Sequence, residues 1–376
     1  MSALRPLPRW ADIALLPVLN LVLAFIVSGI VLLLIGQNPF VALWAIVTGA
    51  FGNGYNIGYT LYYTTNFIFT GLAVALAAHG GLFNIGANGQ AYVAGLGVIL
   101  AATALDTTHW LIVAPVALLA AALFGGAWAF IPGYLQAKRG SHVVITTIMF
   151  NFIASALMIY MLNRVLKPAN VSGPESRMIA EAGRMPKLGQ FFEPFNYTPV
   201  NLSIGIALLA LVAVYVLIWH TRFGYALRTM GQNPTAARYA GISNSKMIII
   251  TMTLSGALAG MVAFNEVLGV QNRLVLDFVA DAGFVGIAVA LMGRNHPLGI
   301  ALAALLFGAL YQGGNELQYV ISGLDRTVVV IIQALVILFT GAMEGLFRPA
   351  LQRSFLLISP ESRAEAAARS TVSSES

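Results

Sequence analysis

Residues 66–105 read NFIFTGLAVALAAHGGLFNIGANGQAYVAGLGVILAATAL, and no Asp, Glu, Lys or Arg interrupts them. Two apolar runs flank Gly81–Gln90 (GLFNIGANGQ), which holds three glycines and the amides Asn84, Asn88 and Gln90. An apolar run of about 20 residues crosses a bilayer as a helix. Here one such run follows another across a polar break. In lipid every backbone N–H and C=O must be bonded internally, so a break survives only inside protein or against a water-filled cavity. Glycines permit the break and bring helices close together. Two readings of the amides stand open. They line a path for a polar solute, or they bond the freed backbone, with an Asn capping the span that begins near Ile85.

The rest of the chain supports the membrane reading. Of 376 residues, 59% are hydrophobic and 9% charged, against about 25% charged in a soluble domain. There is no cysteine, which excludes a disulfide framework, a thiolate metal site and a thiol nucleophile. The net charge of +6 reflects basic residues retained in cytoplasmic loops rather than a nucleic-acid surface. Arg5 and Arg9 precede an apolar run from Ile13 to Ile35, too long for a signal-peptide core, so an uncleaved first span is expected.

Spans are expected at 11–36, 55–78, 84–105, 110–135, 141–162, 200–219, 248–270, 283–293, 298–318 and 327–345. The expected fold is an all-α polytopic membrane protein of about ten transmembrane helices in one bundle. Residues 283–293 are too few to cross as a regular helix, and 39–51 are a second short apolar piece, interfacial or re-entrant. Short or glycine-interrupted spans in both halves point to a solute path in transport proteins. The breaks expected here are 81–90 and the stretch from Gly283 to Pro297. With both termini inside, cytoplasmic segments hold 13 of the 20 basic residues, which favours that orientation. The outer segment 163–199 holds five more and weakens it. That segment divides the halves, either as a docking surface for an external partner or as a passive connector. Residues 346–376 have the composition of a disordered tail.

Catalytic patterns are missing from the sequence. There is no phosphate-cradling Gly-x-x-x-x-Gly-Lys-Ser/Thr, no His-Glu-x-x-His and no Gly-x-Ser-x-Gly, so no catalytic, cofactor or metal residue is assigned. The five histidines lie scattered near span ends. Polar residues within or near spans are Asn66, Asn151, Asn265, Glu266, Asn315, Glu316 and Gln318. At membrane depth such residues face a cavity or a partner. Glu266 and Glu316 fall near the outer ends of their spans, where the cost is smaller.

The largest inner loop, 220–247, carries no acidic residue. Within it Asn233 is expected to cap a short helix that Pro234 starts and Gly241 stops. Such a helix inserts into a partner's groove, or lies on anionic membrane lipid.

This loop, FGYALRTMGQNPTAARYAGIS (residues 223–243), resembles the coupling loop of permeases in the branched-chain amino acid, ribose and nucleoside ABC importer superfamily. The matching positions are Gly231, Asn233, Ala236, Ala237, Gly241 and Ile242. LSGALAGMVAFNEVLG (254–269), GFVGIAVALMGRNHPLGIALAALLFGAL (283–310) and GLFNIGANGQ continue the likeness, which covers about residues 60–345. The wording is most similar to nucleoside and simple-sugar permeases, whose relatives often carry glutamate where this chain has Asn88. The resemblance implies a permease subunit without its own ATPase site, in a bacterial inner membrane. Its implied partners are a cytoplasmic ABC ATPase, a second homologous permease subunit and a periplasmic or lipid-anchored solute-binding protein. Nucleosides are the expected solute, with simple sugars, branched-chain amino acids and a stand-alone secondary transporter as alternatives. Expected path residues are Asn84, Asn88, Gln90, Asn265, Glu266 and Asn315. Expected ATPase-coupling residues are Gly231, Asn233, Pro234, Ala237, Arg238 and Gly241.

Overall fold

A computed structural model describes residues 15–320 and a few helical positions between 330 and 338. The expected last span at 327–345 and the tail from 346 lie largely or wholly outside the described residues. Two compact units are present, one of residues 43–324 and one of residues 1–42 with 325–376. In the second unit, helix α1 (Leu16–Leu34) carries a proline in its first turn, where the missing N–H costs nothing.

Helix α2 (Pro39–Phe51) leads into the larger unit. There follow α3 (Gly54–His79), α4 (Ala87–Leu105), α5 (Trp110–Arg139) and α6 (Val143–Tyr160). After an irregular segment come α7 (Ser203–His220), α8 (Arg222–Gln232), α9 (Pro234–Tyr239), α10 (Asn244–Ala263), α11 (Ala282–Met292) and α12 (Pro297–Val320). Helix α6 runs on as a π-helical turn to Val165, and α10 continues as a longer one, Phe264–Gln271. The chain is all-α and polytopic. Seven helices among the described residues are long and apolar enough to cross a membrane. The expected count of about ten is not reached among them: of the three other expected spans, 283–293 is the 11-residue α11, and 11–36 and 327–345 lie partly or largely outside the described residues.

Local chemistry sets the ends. Asn53 caps α3 through an Oδ1 that accepts from Asn56 N–H at 2.8 Å. Helix α5 stops at Gly140, which is left-handed, just after Lys138 and Arg139. Burial separates two classes of span. The apolar window of α3 is 78% buried and those of α5, α6 and α7 only 28%. Leu119, Leu123, Phe152 and Leu209 project outward from those three helices, as residues facing acyl chains do. Helices α3, α4, α10, α11 and α12 are the inner set.

Both expected breaks are real, and the second is moved. Between α3 and α4 the chain turns at Gly80–Gly81 and runs back through residues 82–86 without helix. Between α10 and α11 residues 272–281 form an irregular re-entrant segment, with Asn272, Asp277, Ala280 and Asp281 at positive φ. Of the expected stretch Gly283–Pro297, the part to Met292 is helical and Gly293–His296 form a tight turn into α12. The half-length α11 results from the chain re-entering before it, not from interruption after it. The irregular segment between α6 and α7 is folded against this re-entry. Ser176 N–H donates to Leu274 O and Ile179 N–H to Asn272 O, each within 3 Å, and Arg273 pairs with Glu175 at 2.9 Å.

Candidate functional site

The two breaks meet at one residue. Asn88, in the first turn of α4, donates through Nδ2 to Asp281 Oδ1 at 3.1 Å and accepts from Gly283 N–H at 2.8 Å. Asp281 and Gly283 flank the start of α11. Along α4, Asn88 is 105 − 88 = 17 residues from Leu105, about 26 Å at 1.5 Å per residue. Helix α11 then covers 11 residues, about 16 Å, to the end of the bundle that carries α8 and α9. The junction therefore lies deep between the two ends. Four residues earlier, Asp277 accepts from Tyr92 Oη at 2.6 Å. Both aspartates are exposed in the single chain, and an ionisable group at that depth needs a water-filled space or a partner. Neither was singled out from sequence. The signal was present, since two acidic residues stand immediately before an apolar half-helix.

Asn84 and Gln90 hold the first break closed. Asn84 is fully buried. Its Nδ2 donates to Gln90 Oε1 at 3.0 Å and Ser255 Oγ at 2.8 Å, and its Oδ1 accepts from Gln90 Nε2 and Gly86 N–H. Asn151 of α6 completes the repair, donating to Ile85 O and accepting from Gly89 N–H, both at 2.9 Å. Side-chain amides thus supply the partners that a broken helix leaves without.

A second network joins α3 to the π-helical stretch. Glu266 is 2% exposed, so protein encloses it even near the end of its span. Its Oε1 accepts from Tyr62 Oη at 2.5 Å and Asn66 Nδ2 at 2.6 Å. Asn265 donates to Asn66 Oδ1 and accepts from Asn201 Nδ2, both at 2.8 Å. Asn201 Oδ1 in turn accepts from Ser203. π-Helical turns often mark functional positions, because the extra residue redirects side chains. Asn315 of α12 stands nearby and donates to Tyr63 Oη at 3.1 Å. Sequence inspection missed the tyrosines, although Tyr55, Tyr59, Tyr62 and Tyr63 share one helical face with Asn66.

The third element is the α8–α9 pair. Much of the expected loop is helical. Thr221 caps α8, which turns Gly224, Leu227 and Met230 inward. Asn233 Oδ1 accepts from Thr235 and Ala236 N–H at 3.0 Å, Pro234 opens α9, and Gly241 at φ 78 ends it. Ile242 N–H donates to Ala237 O, closing the helix end. Ala237 is buried, while Arg238 and Tyr239 are exposed. Gly231 lies so close to the α3–α4 turn that a Cβ would overlap His79 O. Gly231 and the start of the first break are therefore in direct contact. The histidines are less scattered than expected. His79, His220 and His296 gather around Tyr215 and Trp219 at this end. Among the described residues no group of acidic and histidine side chains is arranged to hold a metal.

At the opposite end Asp106 accepts from Arg177 Nη1 at 2.6 Å and Ala180 N–H at 3.1 Å. Burial pushes its carboxyl pKa up, but these bonds outweigh burial and hold it below the usual carboxylate range.

The family model described as the branched-chain amino acid transport system / permease component matches residues 56–341. A guanosine ABC transporter permease protein of Bacillus subtilis, NupP, is 37% identical over 87% of this chain and 93% of its own length. A glucose ABC transporter permease protein of Haloferax volcanii, TsgB13, is 32% identical over 89% of this chain and 88% of its own. A nucleoside ABC transporter permease protein of Lactococcus lactis, NupB, is 31% identical over 86% of this chain and 90% of its own. No solved structure matches the chain.

Proposed function

From its membership of the branched-chain amino acid transport system permease family, to which this chain belongs, we propose that it is the membrane-spanning subunit of an ATP-driven nucleoside importer in a bacterial inner membrane. The observation that carries the solute class is its 37% identity, over nearly the whole of both chains, to a guanosine permease. The α8–α9 end faces the cytoplasm and receives the ABC ATPase. Exposed Arg238 and Tyr239 on the capped α9 are the contact, Gly231, Asn233, Pro234, Ala237 and Gly241 fix its shape, and the ATPase hydrolyses the ATP. The 166–202 end faces outward toward a solute-binding protein. A second permease subunit stands opposite the face on which Asp277 and Asp281 lie, with an aqueous path between them.

The path follows the inner helices. Asn88, Asn265, Glu266 and Asn315 offer hydrogen bonds along it, while Asn84 and Gln90 hold the break closed beside it. Movement of α9 reaches the path through the contact between Gly231 and the 79–81 turn, which leads directly to Asn84 and Asn88. The chain provides binding and motion, with no covalent step.

Reconstitution tests this. The chain is assembled with its ATPase, second permease and binding protein, and labelled guanosine, uridine, glucose and ribose are offered. Nucleoside accumulation that requires both ATP and the binding protein is expected. Accumulation of sugar alone would replace the solute class. Gradient-driven uptake by this chain alone would replace the importer reading with a secondary transporter.

A further inference from the structure

Helix α3 carries an aromatic face whose neighbour is a half-used carboxylate. Tyr59, Tyr62 and Tyr63 follow one another with ring centroids 6.4 Å and 4.9 Å apart. Tyr311 of α12 joins them, 5.7 Å from Tyr63. All four rings are half-buried, so they pack on each other and still present surface. Beside them sits Glu266, whose two hydrogen bonds both fall on Oε1. Its Oε2 accepts none among the described residues, although the residue is 2% exposed. A carboxylate has about four acceptor positions, and a buried group left without donors is costly. Among the described residues no cation is paired with it to offset the charge. The enclosed carboxylate therefore keeps acceptor capacity that no donor among the described residues fills.

We propose that Glu266 and the tyrosine face form a base-recognition station within the path. A planar heterocycle stacks on Tyr59, Tyr63 and Tyr311, and its N–H edge donates to Glu266 Oε2. Stacking on aromatic rings accepts every base alike. The carboxylate adds selectivity for bases with adjacent N–H donors, such as the N1–H and exocyclic amino group of guanine. Tyr62 and Asn66 hold Oε1 and so aim Oε2. This inference rests on the nucleoside reading above and adds to it which atoms distinguish one nucleoside from another.

The competing role for Glu266 is a strut tying α3 to the π-helical stretch, and selectivity separates the two. In the reconstituted complete importer, Glu266→Gln is compared with wild type for labelled guanosine and for purine riboside, which has the same sugar and ring system but no N–H on the base. The variant-to-wild-type rate ratio is taken for each nucleoside, so the preference of the shared binding protein cancels. The guanosine ratio is expected to fall about tenfold below the purine riboside ratio, the size of one lost charge-assisted hydrogen bond. Glu266→Asp, which keeps the charge and withdraws Oε2 by one methylene, is expected to show the same selective loss and serves if the Gln variant fails to assemble. Tyr59→Ala is expected to slow both nucleosides alike, and Tyr59→Phe to restore them. Equal ratios for guanosine and purine riboside in a Glu266 variant would overturn the station and leave the strut. A wild-type complex that carries sugars and no nucleoside would instead sink the solute class.

Discussion

Asn88 is an amide between a carboxylate and a backbone N–H, and it satisfies both because it can donate and accept at once. Glutamate, common at this position in the permeases the chain resembles, can only accept when ionised. Against Asp281 it would set two carboxylates about 3 Å apart, and one would have to take up a proton. Asn88→Glu is therefore expected to destabilise the junction by about 3 kcal/mol, combining a lost charge-assisted bond with repulsion. Pairing it with Asp281→Asn restores a donor and should recover most of that loss. Thermal unfolding of the purified complex reads both. A double variant no more stable than Asn88→Glu alone would show that the two side chains are not coupled. The stretch 81–90 thus resolves residue by residue, with Asn84 and Gln90 closed on each other and Asn88 turned to the second break.

Helices α8 and α9 were legible in part. The Asn233 cap, Pro234 start and Gly241 stop follow from side-chain and φ preferences that act within a few residues. Their docking onto the 79–81 turn did not follow, because nothing near Gly231 names His79 as its neighbour. That contact carries an element-scale prediction. Gly231→Val should push α8 away from the turn and cut nucleoside uptake by more than about tenfold, while the complex still inserts and its unstimulated ATP hydrolysis persists. Arg238→Glu should lower uptake at the other end of the same link. If binding-protein-stimulated ATP hydrolysis and uptake both survive in Gly231→Val, the turn does not transmit.

Across the molecule, the unit of residues 43–324 has two kinds of exposed surface. Leucines and phenylalanines of α5–α7 suit acyl chains, while Asp277 and Asp281 do not, since charge at that depth needs water or a partner. The cysteine-free sequence makes this directly testable. A single thiol at Asp277→Cys should react with a small water-soluble methanethiosulfonate reagent in the assembled importer, at a rate at least about tenfold above that of Leu123→Cys, whose site is 69% exposed on α5. Thiolates react far faster in water than in hydrocarbon, because there the charged form is stable. Equal reactivity at the two sites would place no aqueous path beside the re-entrant segment.

The sequence by itself determined the membrane class, the ends of most spans to within a few residues, and the short capped helix at 234–239. Each of these rests on hydrophobic run length or on chemistry between residues two to four apart. Tertiary structure alone decided which polar groups are partners. Asn88 meets Asp281, Tyr62 meets Glu266 and Asn66 meets Asn265 across separations of 193, 204 and 199 residues. It also decided that the second break precedes α11 and that the α3 tyrosines lie beside a buried carboxylate. The physical reason is that a hydrocarbon surrounding forces every polar group to find some partner, and composition reveals that demand. Only the packing of α3, α4, α10, α11 and α12 against one another selects the partner.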